Sequence, residues 1–82
     1  MTTLTAEQGS QPTVDDLQIG IIDAATHDGV AKAYVLLRLA TGDEPVVITS
    51  GESIDVAGHG RLEVSNIEFP PEGRALVTLS LT

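Results

Sequence analysis

The sequence predicts an all-β fold, a small antiparallel β-sandwich or partly closed barrel of six to seven strands. Residues 51–82 carry the clearest signal. Ile54 and Val56 alternate with Ser53 and Asp55, Leu62 and Val64 with Arg61, Glu63 and Ser65, and Val77, Leu79 and Leu81 with Thr78, Ser80 and Thr82. Strand side chains point to opposite faces with a period of two, so each run has one apolar and one wet face. Gly58-His59-Gly60 and Pro70-Pro71-Glu72-Gly73 break the chain between the runs. Short strands joined by short turns are the pattern of sandwiches and small barrels.

Taken in order, residues 1–13 are polar and small and read as a flexible N-terminal segment, with residues 2–5 the one place for a short edge strand. Residues 14–82 form the single β domain. Asp15-Asp16 suits a turn, because Asp side chains bond nearby backbone amides. Leu17, Ile19 and Ile21 then alternate with Gln18 and Gly20. Gly20 inside this strand points to a bulge or a close backbone approach. Ile22 breaks the alternation, so the buried face switches there. His27-Asp28-Gly29 ends the run, and Asp-Gly between apolar runs signals a type I′ hairpin.

Residues 30–40 fit two periods. With period two, Ala33, Val35, Leu37 and Leu39 share one face and Tyr34, Leu36 and Arg38 the other. With period 3.6, Val30, Ala33, Tyr34 and Leu37 share a helix face, with Gly42 past its end. The Asp28-Gly29 turn selects the strand, since it folds this run back onto residues 17–25. Residues 41–45 read as a loop and 46–49 as a strand between Pro45 and Gly51. In residues 61–69 the apolar positions are Leu62, Val64, Ile67 and Phe69. The register slips by one, which predicts a β-bulge at Ser65-Asn66.

A chain of 82 residues without cysteine has one small core and no disulfide to support it. Tyr34 and Phe69 are the only aromatic residues, so burial rests on aliphatic side chains, and self-association is one way to add buried surface. Twelve acidic residues against four basic ones give a net charge of −8. That balance repels phosphate backbones and anionic membranes, so neither nucleic acid nor membrane is an expected partner. It leaves open an acidic protein that mimics nucleic acid or inhibits its binders. The start of the chain lacks the basic and apolar regions of a signal peptide, and cytoplasm is the expected compartment.

No catalytic motif is present. There is no Gly-x-Ser-x-Gly frame, no Gly-x-Gly-x-x-Gly and no phosphate-binding loop, and no catalytic, cofactor or metal residue is assigned. The acidic pairs Asp15-Asp16 and Asp43-Glu44 lack the alternating pattern of a calcium loop and read as solvated turns. His27 and His59 have no metal-ligand spacing. Adjacent residues of an extended chain point apart, so Asp28 is not expected to orient His27. His59, between two glycines, is either a turn residue or a ligand contact at the mouth of a barrel. Tyr34 and Leu36 fall on the outer face of their strand, with Leu76 as a possible outer neighbour. Clustered exposed apolar groups mark a contact surface, unless both faces of the sheet are covered.

The stretch Gly51-Glu52-Ser53-Ile54-Asp55-Val56-Ala57-Gly58, followed by Leu62-Glu63-Val64 and Val77-Thr78-Leu79, resembles short actinobacterial all-β proteins of unknown function. The Ala/Gly/Thr-rich, Lys-poor composition fits a GC-rich bacterial genome. The resemblance covers the last third of the chain, rests on turn chemistry and carries over no functional residue. The expected function is a non-catalytic binding or assembly module that associates with itself or docks on a protein partner. A small-ligand-binding barrel or minimal enzyme using His59 is the alternative, beside the acidic mimic.

Overall fold

The computed structural model describes residues 2–82. Its eight strands are β1 (Thr2–Glu7), β2 (Thr13–Val14), β3 (Leu17–His27), β4 (Val30–Leu39), β5 (Gly42–Thr49), β6 (Ser53–Val56), β7 (Gly60–Glu68) and β8 (Leu76–Leu81). They build two four-stranded antiparallel sheets, ordered β1-β8-β7-β6 and β2-β3-β4-β5. The sheets stack as a sandwich and do not close into a barrel. No helix among the described residues is long and apolar enough to cross a membrane.

The alternation fixes what each sheet buries. Leu17, Ile19, Ile21, Val35, Leu37 and Ile48 come from one sheet, and Leu62, Val64, Val77, Leu79 and Leu81 from the other, all at most 3% exposed. Each such side chain contributes about 1.5–3 kcal/mol when fully buried. The longest strand, β3, has eleven residues, and the molecule measures 36 × 21 × 21 Å.

The hairpins follow the turn chemistry. Asp28 and Gly29 both have positive φ, 52° and 79°, and close β3 onto β4 with His27 opposite Val30. That is the type I′ geometry, whose twist matches the strands. Asp15 and Asp16, at φ 47° and 69°, turn β2 into β3 in the same way. Residues 30–39 are strand rather than helix, with Ala40 in the turn that follows, and Ala33, Val35 and Leu37 are buried as period two requires.

Both sequence irregularities are bulges. β7 shifts register between Val64 and Asn66, leaving Ser65 as the extra residue. β3 shifts between Ile21 and Asp23, so the extra residue is Ile22 and not Gly20. A Cβ on Gly20 would sit 3.7 Å from the Leu36 Cβ, an ordinary contact, so no close approach demands glycine there.

Three expectations need correction. Residues 2–7, read as part of a flexible segment with a short edge strand as the other reading for 2–5, form the edge strand β1 and pair with β8 from Thr2–Leu81 to Glu7–Leu76; Met1 lies outside the described residues. Residues 42–45, read as loop, begin β5 and pair with β4. Pro45 is tolerated because β5 is an edge strand and needs no further ladder bond on its outer side. The short β2 brings the strand count to eight.

Candidate functional site

The two outer faces of the sandwich differ in chemistry. On β8 the outer row is Leu76, Thr78 and Ser80, flanked by Glu7, Thr5 and Thr3 of β1 and by Glu68, Asn66 and Glu63 of β7. Thr3 and Ser80 share a hydroxyl hydrogen bond of 3.0 Å, as do Thr5 and Thr78. This face is a polar ladder of the kind a solvated sheet carries.

The outer face of the second sheet is apolar at its centre. Along β4 the row is Lys32, Tyr34, Leu36 and Arg38. Tyr34 stands opposite Asp23 on β3 and Val47 on β5, and Leu36 opposite Gly20 and Pro45. The bulge at Ile21–Asp23 turns Ile22 outward as well, leaving it 54% exposed beside Val47 at 53% and Tyr34 at 36%. Ile22, Asp23, Ala25, Tyr34, Pro45 and Val47 line an open depression of about 430 Å³. Asp23 places one carboxylate within the depression, and the other charges stand at its ends. Arg38 Nη1 donates to Asp43 Oδ2 at 2.7 Å at one end, and Lys32 stands at the other with no carboxylate within 4.0 Å among the described residues. Asp23 Oδ1 is occupied by Gln8 Nε2 at 3.1 Å and by the Ala24 amide at 2.8 Å.

Of the residues singled out in the sequence, Tyr34 and Leu36 meet on this face. Leu76 does not join them. It lies on the other sheet, between Glu7 and Glu68. Period two tells which face of its own sheet a residue takes, not which sheet it belongs to. Ile22, Pro45 and Val47 were missed. The break in alternation at Ile22 was their one visible signal, and bringing all three beside Tyr34 requires the order β3-β4-β5.

His59 is half-buried in the turn between β6 and β7, where its amide donates to the Val56 carbonyl at 3.0 Å. Its ring makes no hydrogen bond or ion pair among the described residues, and with no closed barrel there is no barrel mouth for it to occupy. His27 and Asp28 do approach, with Nε2 3.4 Å from Oδ2, because the left-handed turn at Asp28 curls its carboxylate back. Both side chains are exposed, so this pair is a solvated contact at a hairpin tip. No group of three or more His, Asp or Glu among the described residues is placed to hold a metal ion. Compared with protein-family models, curated proteins and solved structures, the chain matches none.

Proposed function

We propose that this chain is a non-catalytic assembly module that associates with a second copy of itself through the outer face of β3, β4 and β5. The observation that carries the reading is the contrast between the two outer faces, one a Thr/Ser/Glu ladder and the other an apolar cluster around Tyr34. Contiguous exposed apolar surface on a small acidic protein marks a contact site.

Charge placement favours a second copy laid antiparallel on the first. In that arrangement the Lys32 end of each face meets the Arg38–Asp43 end of the other. A parallel arrangement would set Lys32 against Lys32 and Asp43 against Asp43. The face spans roughly 20 Å along six residues and about 15 Å across three strands. That footprint, roughly 300 Å² per copy, is below the usual size of stable specific interfaces, so association is weak and concentration-dependent.

The test is solution mass over a concentration series by analytical ultracentrifugation. Wild type is expected to shift from monomer to dimer as concentration rises, and Tyr34→Glu to remain monomeric with an unchanged far-ultraviolet spectrum. A wild-type mass that stays monomeric throughout removes the self-association reading.

A further inference from the structure

The inner row of β5 departs from the core pattern. Alternate residues share a face, so Gly42, Glu44, Val46 and Ile48 form one row, buried at Ile48, partly buried at Val46 and exposed at Glu44 and Gly42. Their partners on β4 are Leu39, Leu37, Val35 and Ala33. Ile48 fills the core and Val46 packs against it, but Glu44, across from buried Leu37, is exposed and stands at the rim of the row. Gly42 adds no side chain beside Leu39. The core therefore ends early at this corner. A cleft of about 320 Å³ remains between β5 and β6, walled by Leu37, Leu39, Val46, Ile54 and Val56, with Glu44 and Asp55 at its lining. Asp55 is held by Arg61 Nη2 at 3.1 Å, whereas Glu44 has no cation within 4.0 Å among the described residues.

We infer that this cleft binds a small amphiphilic ammonium ion, with its apolar body against Leu39, Val46 and Ile54 and its –NH₃⁺ on the Glu44 carboxylate. The volume lies near the lower end of ligand sites, about 300–1,000 Å³, and suits a body of a few carbons. Apolar walls with one convergent polar group are how such sites fix orientation. An ammonium gives Glu44 a charge-assisted partner, an alcohol gives it a weaker one, and a carboxylate is repelled. A charge on the core-side row of an edge strand also discourages pairing with other chains. That role needs no ligand, and the experiment separates it.

The experiment titrates the full ¹⁵N-labelled chain with n-hexylammonium chloride, with 1-hexanol and sodium hexanoate as comparisons. Saturable amide shifts are expected at Leu39, Val46 and Ile54, with hexanoate binding at least about tenfold more weakly. Glu44→Gln is expected to weaken hexylammonium about fivefold or more, to the level of hexanol. Glu44→Leu is expected to complete the apolar row, raise the melting temperature and abolish the saturable shifts. Equal response to hexylammonium and hexanoate, shifts spread evenly over the acidic surface, or unchanged affinity in Glu44→Gln would each overturn the inference. Tyr34→Glu leaves the titration unchanged, so the outcome here is independent of the assembly reading.

Discussion

Gly9 and Gly51 adopt the same left-handed backbone, φ 90° and 89°, and each is the residue at which hydrogen bonding passes from one sheet to the other. The Gln8 amide donates to Ala75 beside β8, and the next amide, that of Gly9, donates to Ile21 on β3. The Ser50 amide donates to Ala31 on β4, and that of Gly51 to Val64 on β7. A step of one residue redirects the chain across the sandwich, and positive φ makes so sharp a redirection possible while both amides keep a partner.

The two glycines are not equally replaceable. A Cβ on Gly51 meets nothing within 4 Å, so Gly51→Ala carries only the cost of left-handed φ, about 1–2 kcal/mol. A Cβ on Gly9 runs into the guanidinium of Arg74, which donates to the Gln8 carbonyl at 3.3 Å. Gly9→Ala is therefore expected to lower the urea midpoint further than Gly51→Ala. The double variant Gly9→Ala/Arg74→Ala should recover part of the difference, unless the arginine simply moves aside in Gly9→Ala, in which case the two single variants match.

Neighbouring isoleucines on β3 should respond oppositely. Ile21 is 1% exposed in the core, so Ile21→Ala is expected to cost about 2–5 kcal/mol in chemical denaturation. Ile22 is the bulged residue on the outer face, so Ile22→Ala should stay within about 0.5 kcal/mol of wild type. Its effect belongs in the mass measurement, where loss of its apolar surface weakens self-association. A large stability loss in Ile22→Ala would mean that the bulge side chain is covered rather than free.

Self-association should strengthen as salt rises. Each copy carries a net charge of −8, and only Lys32 and the Arg38–Asp43 pair offer compensation at the proposed contact. Raising ionic strength from about 0.01 M to about 0.15 M shortens the screening length from about 30 Å to about 8 Å and weakens the overall repulsion. Sedimentation at the two salt concentrations is expected to show more dimer at the higher one. The reverse trend would point to a contact dominated by opposite charges.

Much of the fold can be read from the alternation because small β domains have little freedom once their apolar faces are set. Val77, Leu79 and Leu81 mark β8, Asp28-Gly29 marks the central hairpin, and the slip from Val64 to Ile67 marks the bulge. The first half of β5 is different. Gly42, Asp43, Glu44 and Pro45 are loop formers, and pairing with β4 makes them strand. Of the assembly face, the shared side of Tyr34 and Leu36 follows from one strand, while Val47, Pro45 and Ile22 arrive through tertiary order. The place of Glu44 at the rim of the cleft was hidden for the same reason, since nothing marked its position as strand.

The N-terminal strand gives the sharpest test of that tertiary contribution. Its apolar positions are only Leu4 and Ala6, a weak alternation among threonines, which is why residues 2–7 resemble a loose tail. In the fold they pair with all six residues of β8, and Ala6 is buried. Without them β8 becomes an edge, with one row of its amides and carbonyls unpaired and Ser80 deprived of Thr3. Deleting residues 1–7 is therefore expected to unfold or aggregate the protein, whereas removal of a true tail would leave it intact. Amide dispersion in a ¹H–¹⁵N spectrum reads the difference directly. A shortened chain that keeps the wild-type dispersion and urea midpoint would show that β1 decorates the sandwich without holding it together.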